Sequence, residues 1–76
     1  MGEYRYTLYG SPVCGQCKVA KMLMTRKGIK FLYRDVTTIS EAEVDAIMEM
    51  ARGAGKGHLP VILDNDTGEI VDWRKL

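Results

Sequence analysis

Two periods of apolar and polar residues run through the first half of the chain, and each predicts a different element. Residues 4–9 are aromatic and alternating, which is typical of a β-strand, and the glycine and proline within residues 10–12 end it. Residues 15–27 instead repeat with a helical period, with apolar positions opposite a polar stripe. Gly28 follows where a left-handed residue commonly ends a helix.

The middle of the chain predicts a second strand and a second helix. Residues 31–33 together with Val36 are apolar enough for a strand. Ser40 is followed three residues later by Glu43, the pattern of a capping box at a helix N-terminus. Apolar residues then recur at helical spacing, and Gly53 is expected to close the helix.

The last part of the chain predicts a β-hairpin and a short tail. Residues 61–63 and 69–71 are apolar segments on either side of a loop rich in Asp, Asn and Gly. The predicted order is therefore β-α-β-α-β-β, in a single α/β domain over residues 1–76, with residues 72–76 left over. Because a helix joins the first two strands, they are expected to be parallel.

Composition and charge exclude several classes of function. The chain is 46% hydrophobic and 28% charged with a formal net charge of +1, so nothing global indicates a nucleic-acid or membrane partner. Basic residues collect within 15–30 and acidic ones within 35–49, interpreted as solvated helix faces, with a basic rim that guides an acidic partner as the alternative. Met22, Met48 and Met50 are expected to fill the core.

The expected compartment is the cytoplasm. The N-terminus has no apolar signal-peptide core, and no apolar run approaches the ~20 residues of a membrane span. Secreted small domains usually close long loops with disulfides, whereas the two cysteines here are only three positions apart.

The candidate chemistry is the pair Cys14 and Cys17, which follows a predicted strand and opens a predicted helix. Unpaired backbone N–H groups and the helix dipole at that position stabilise a thiolate. We therefore expect Cys14 to be the exposed nucleophile. Cys17 lies one turn later, is expected to be half covered, and would resolve the mixed disulfide.

Two other interpretations of the cysteine pair stay open. A structural disulfide would close too short a loop to stabilise the chain much. Half of a zinc site would need further ligands, and His58 is the only other plausible one, so a second copy of the chain would have to complete the site. His58 is otherwise either an exposed loop residue without a role or an imidazolium that helps to stabilise the Cys14 thiolate.

Residues 14–31 resemble the glutaredoxin family, because they read Cys-x-x-Cys-x-x-Ala-Lys-x-Leu and then Lys-Gly-Ile-x-Phe. The Leu59–Pro60 step before the third strand is similar to the family's late cis-proline step. The resemblance implies a minimal thioredoxin fold, with a four-stranded mixed sheet and a truncated C-terminal helix. It also implies a cis Pro60 beside the dithiol and a Leu59 backbone that pairs with an incoming peptide or glutathione.

Within that family, Gln16 before the second cysteine is closer to the NrdH-redoxins, which donate electrons to ribonucleotide reductase. The glycine pair that holds glutathione is missing before Asp72, as is the lysine before the dithiol. The expected function is transfer of two electrons to a protein disulfide by a monomer that needs no cofactor besides its cysteine pair, and the resemblance indicates ribonucleotide reductase as the acceptor. The expected reductant is thioredoxin reductase or glutathione.

The expected catalytic residues are Cys14, Cys17 and Pro60, and the expected substrate-binding residues are Pro12, Gln16, His58 and Leu59.

The alternatives to this function are a glutathione-dependent glutaredoxin and a module without enzymatic activity. Such a module would use the dithiol to sense redox state, or would hold zinc between two copies of the chain.

Overall fold

The computed structural model describes residues 4–76 and contains the predicted elements in the predicted order. The first strand begins two residues later than predicted and runs through Gly10. The tail forms one turn of 3-10 helix, at the place where the resemblance implies a truncated C-terminal helix. The elements are β1 (Tyr6–Gly10), α1 (Gly15–Arg26), β2 (Phe31–Asp35), α2 (Glu41–Gly53), β3 (Val61–Asp64), β4 (Glu69–Val71) and the 3-10 helix (Trp73–Lys75).

The four strands form one mixed sheet in the order β2-β1-β3-β4. β1 and β2 are parallel, which confirms the prediction, whereas β3 is antiparallel to both β1 and β4. In the register between β1 and β3, Tyr9 lies opposite Val61. The chain therefore leaves β1 and enters β3 at the same end of the sheet. The dithiol loop, which follows β1, and Pro60, which precedes β3, are thus next to neighbouring strands.

The alternation of side chains along the strands divides the core between the two faces of the sheet. One face packs against α2 and the other against α1 and the 3-10 helix. The buried residues on the α2 face are Tyr9, Ile47, Ala51, Val61 and Ile70. Those on the α1 face are Leu8, Ala20, Met24 and Ile62, with Tyr33 and Trp73 packed against them.

Local signals set the start of α2 and the end of α1, as the sequence predicts. The Ser40 hydroxyl accepts a hydrogen bond from the Glu43 N–H at 3.2 Å, which is one half of a capping box. The Glu43 carboxylate does not complete the box but accepts two hydrogen bonds from Arg34, at 2.6 and 2.7 Å. Gly28 has a φ of +73°, as a left-handed helix end requires.

The prediction that Met22 and Met50 fill the core is wrong, because both side chains are exposed. Helix α1 buries only a narrow stripe of Cys17, Ala20 and Met24, since the four short strands cover little more than one row of helix side chains. Met48 does pack against the core on the α2 face. No helix within residues 4–76 is long and apolar enough to cross a membrane.

Candidate active site

A tight turn between β1 and α1 presents the first cysteine. Ser11 is buried at the end of β1, and its carbonyl accepts a hydrogen bond from the Cys14 N–H at 3.2 Å. Pro12 and Val13 form the outside of the turn, where both are exposed and Val13 reaches 92% exposure. The turn therefore places Cys14 directly at the start of α1, next to an apolar surface that is open to solvent.

Cys14 is the N-cap residue of α1, as its position in the sequence predicts. Its backbone is extended, with φ −91° and ψ 111°, and its Sγ accepts a hydrogen bond from the Cys17 N–H at 3.2 Å. This is where the oxygen of a capping serine or aspartate would lie. A thiolate at this point receives both a backbone N–H and the positive end of the helix dipole.

Cys17 is fully buried, with 1% of its surface exposed, so the expectation that it is half covered is wrong. The pKa of the Cys17 thiol is raised to about 11, mainly by burial and secondly by hydrogen bonding to Cys14. The Ser11 backbone and the Lys21 ammonium act on this pKa in the opposite direction. At pH 8 the Cys17 thiol is therefore almost entirely protonated.

Gly10 explains why Cys17 can be buried so completely. A Cβ atom at Gly10 would lie 2.8 Å from the Cys17 Sγ and 3.0 Å from its Cβ, both too close. The last residue of β1 thus has no side chain because the first turn of α1 packs against it. Sequence reasoning missed Gly10, although a glycine at a strand end beside a reactive motif is a signal of close approach.

The two cysteines can therefore perform different steps of disulfide exchange. Cys14 is partly exposed and lies where a thiolate is stabilised, whereas Cys17 is protected and protonated. Both thiols are free, and the Cys17 N–H to Cys14 Sγ contact holds them one helical turn apart. An accessible nucleophile followed by a shielded second thiol is the arrangement that dithiol exchange requires.

A cleft beside the dithiol brings three of the predicted residues together. Its volume is about 360 Å³, and Gln16, His58 and Pro60 all line it. The Leu59–Pro60 peptide bond is cis, as the resemblance implies, and Pro60 is buried. Leu59 lies apart from the cleft, where its side chain packs against the core on the α2 face.

Charged residues that the sequence analysis did not select also line the cleft, namely Lys56, Asp72, Arg74 and Lys75. The Asp72 carboxylate accepts hydrogen bonds from the backbone N–H of Arg74 at 3.0 Å and from its Nε at 3.3 Å. These bonds hold the pKa of Asp72 below its usual range, and the bond from the backbone N–H has the larger effect. The cleft is thus cationic apart from one carboxylate, which is already engaged with its neighbour.

No three His, Cys, Asp or Glu side chains among residues 4–76 cluster as they would around a metal ion. The zinc interpretation therefore requires a second copy of the chain, and metal analysis of the purified protein tests it.

Comparisons with known proteins agree on one family. A glutaredoxin family profile matches residues 6–67, which is well over half of the chain. No curated protein matches the sequence significantly.

Three solved glutaredoxins share the fold. The buckwheat glutaredoxin–glutathione complex superposes with a TM-score of 0.67 at 19% identity, over 88% of this chain and 58% of that one. Wheat glutaredoxin gives 0.64 at 19% identity, over 83% and 57% of the two chains. The Archaeoglobus fulgidus glutaredoxin gives 0.65 at 21% identity, over 97% and 83%.

This chain thus spans less than three fifths of the two plant proteins, and the similarity to all three structures establishes the thioredoxin-like fold. The family itself rests on the profile match, whose span contains the dithiol, its helix and the cis-proline step. On that evidence, the chain belongs to the glutaredoxin family.

Proposed function

We propose that this protein is a dithiol–disulfide oxidoreductase that passes two electrons from Cys14 and Cys17 to a disulfide in another protein. The observation that carries the proposal is the unequal environment of the two thiols. Cys14 caps a helix with its sulfur facing a backbone N–H, and Cys17 is buried with its pKa raised to about 11. Membership of the glutaredoxin family supports the same chemistry.

The exchange proceeds in two steps that balance atoms and electrons. The Cys14 thiolate attacks one sulfur of the substrate disulfide, forming a mixed disulfide and releasing the other sulfur as a thiolate that takes up a proton. Cys17 then loses its proton to solvent and attacks the Cys14 sulfur, which breaks the bond between Cys14 and the substrate and releases the second substrate sulfur as a thiolate that takes up a proton. The product is a Cys14–Cys17 disulfide and a fully reduced substrate, so two electrons have left the protein.

The surface around the dithiol supports an extended peptide as the substrate. Pro12 and Gln16 are exposed on either side of Cys14, and Gln16, His58 and Pro60 line the adjoining cleft. The pairing of β3 with β1 begins at Val61, so the backbone of Leu59 precedes the ladder. In this proposal Leu59 pairs with the peptide backbone, while Pro60 and Gln16 position the disulfide against Cys14.

The acceptor that we propose is the disulfide of ribonucleotide reductase, in the cytoplasm. Support comes from Gln16 between the cysteines, the feature shared with the NrdH-redoxins. A reducing compartment keeps a free dithiol available between turnovers.

We further propose that a flavoenzyme of the thioredoxin-reductase type, and not glutathione, regenerates the dithiol. The backbone N–H of Arg74, at the start of the 3-10 helix, is occupied by the Asp72 carboxylate. That negative group lies in the cleft, where an anionic tripeptide end would have to bind. The cations Lys56 and Lys75 in the same cleft favour the alternative, a glutathione-dependent glutaredoxin.

A coupled assay of NADPH oxidation distinguishes these reductants. The protein is given a protein disulfide and either thioredoxin reductase or millimolar glutathione with glutathione reductase. We expect turnover with the flavoenzyme and at least ~10-fold slower turnover with glutathione. The chain lacks the glycine pair before Asp72 and the lysine before the dithiol, and each would contribute a charge-assisted contact of ~1.5–3 kcal/mol to glutathione binding. Losing both contacts weakens glutathione binding by ~10-fold or more.

The Cys14→Ser variant is the control for background reduction in both arms. Equal or faster turnover with glutathione would contradict the proposed reductant and assign the alternative. If neither reductant gives turnover above this background, the result would contradict the oxidoreductase itself and favour a redox-sensing module.

A further inference from the structure

A lysine outside the Cys-x-x-Cys motif lies close to the second cysteine. Lys21 is one helical turn after Cys17, at the i+4 position on the same side of α1. Its Nζ lies over the ring of Tyr33, 4.0 Å from the ring centroid, a close cation–π contact. The lysine is partly buried, and the contact holds its ammonium over the ring.

The same tyrosine ring lies beside the sulfur of Cys17. The position of a Cβ on Gly10 would be 2.8 Å from the Cys17 Sγ and 3.3 Å from Cε1 of Tyr33. The sulfur and the ring edge therefore both lie next to Gly10, on the face of the sheet that packs against α1. We call the ammonium, the ring and the sulfur the Lys21 cluster: Lys21, Tyr33 and Cys17.

The second step of the exchange requires a charge at this buried position. Cys17 must become a thiolate, yet burial is the main reason that its pKa is high, and the Cys14 sulfur adds to the effect. When Cys14 is in the mixed disulfide it is neutral, so its negative charge no longer opposes ionisation of Cys17. The desolvation cost remains, and a cation held nearby is the physical means of offsetting it.

The charges around Cys17 identify a single side chain with the right sign. Among the groups that act on it from α1 and its N-cap, Cys14 opposes the thiolate and Lys21 favours it, and the turn after β1 contributes the Ser11 backbone, which also favours the thiolate. On β2, burial first and then Asp35 raise the pKa of Tyr33, so its ring stays neutral. His58, in the loop before β3, is exposed.

We propose that Lys21, positioned by the ring of Tyr33, supplies the positive charge that favours the thiolate of Cys17 during resolution of the mixed disulfide. This inference rests on the proposed function and adds Lys21 and Tyr33 to the residues that serve it. In the step, the Cys17 thiol gives its proton to solvent and the Cys17–Cys14 bond forms. The Cys14–substrate bond breaks, and the substrate sulfur leaves as a thiolate that takes up a proton from solvent. The ammonium of Lys21 exchanges no proton and acts only through its charge.

The test measures how fast Cys17 reacts with iodoacetamide at pH 8 in the Cys14→Ser background, where Cys17 is the only thiol. The rate is proportional to the fraction of Cys17 that is thiolate. A nearby cation raises that fraction by ~3–10-fold after screening by solvent. We expect Lys21→Met to slow the reaction by that factor and Lys21→Arg to restore most of it. Lys18→Met is the matched control: it removes the same charge from an exposed position on α1 and should change little.

Two tyrosine variants test the positioning role of the ring. Tyr33→Phe keeps the ring and should react like the parent, whereas Tyr33→Leu removes the ring and should approach the rate of Lys21→Met. A merely structural role would give the opposite sign, because loosening the helix exposes Cys17 and speeds its alkylation. Equal rates for Lys21→Met and Lys18→Met, a failure of arginine to rescue, or faster labelling would overturn the proposal.

This experiment stands apart from the test of the proposed function. Alkylation of Cys17 needs neither a substrate nor a reductant, so it reports on the Lys21 cluster even if the protein reduces no disulfide. A second readout, the rate at which a mixed disulfide on Cys14 is resolved at pH 7.5, should fall by a similar factor in Lys21→Met. An unchanged resolution rate would overturn the catalytic part of the inference.

Discussion

Replacing Cys14 with serine should lower the rate of disulfide reduction at least about a hundredfold, because within residues 4–76 Cys14 is the one thiol that is partly exposed. Replacing Cys17 with serine should have a different effect. Its first step stays intact, but the buried second thiol is gone, so a mixed disulfide between Cys14 and the substrate accumulates. The two variants therefore separate attack from resolution.

The measurement is a reaction of each variant with a protein disulfide, quenched with acid and followed by mass spectrometry under non-reducing conditions. Cys17→Ser should give one adduct, through Cys14, and Cys14→Ser should give none. An adduct through Cys17 in the Cys14→Ser protein would contradict the assignment of roles, because a thiol with a pKa of about 11 and 1% exposure would then be the attacking group.

Replacing Gly10 with alanine is expected to disturb both stability and the second cysteine. The new methyl group would lie 2.8 Å from the Cys17 Sγ and 3.3 Å from Tyr33 Cε1, so Cys17 and the first turn of α1 must shift. Overpacking of this kind costs ~1–3 kcal/mol. In a domain of this size each kcal/mol corresponds to about 4–8 °C in Tm.

Thermal unfolding of Gly10→Ala and Gly15→Ala gives the comparison. Gly15 is the first residue of α1, and a Cβ there would have no atom within 4 Å, so its alanine variant should unfold at the parent temperature or slightly above it. In Gly10→Ala, Cys17 should also react faster with iodoacetamide because it is displaced from its buried position. An unchanged Tm together with unchanged labelling would refute the close packing described for this site.

The parts of the fold that the sequence predicts are those set by local signals. Strand and helix order follow from periodicity, and the ends of helices follow from Ser40 and Gly28, whose effects reach only a few residues. The position of Cys14 at a helix N-cap is of the same kind, since the strand, the turn and the helix are consecutive in the chain.

The parts that could not be predicted depend on contacts between distant segments. The burial of Cys17 depends on how the first turn of α1 lies against the end of β1, which the hydrophobic pattern of α1 does not contain. The exposure of Met22 depends on how much of α1 a narrow four-stranded sheet can cover. The Lys21–Tyr33 contact likewise joins α1 to β2, two elements whose relative position depends on how the helix packs on the sheet.

The most direct test of a two-electron donor built on Cys14 and Cys17 is its reduction potential. The protein is equilibrated with thiol–disulfide buffers of known potential, and the fraction with a Cys14–Cys17 disulfide is counted by alkylation and mass spectrometry. We expect a two-electron transition with a midpoint between about −270 and −200 mV, the interval between thioredoxin and the glutaredoxins. The absence of a Cys14–Cys17 disulfide at any potential, or a midpoint near −120 mV as in a strong oxidant, would contradict the account.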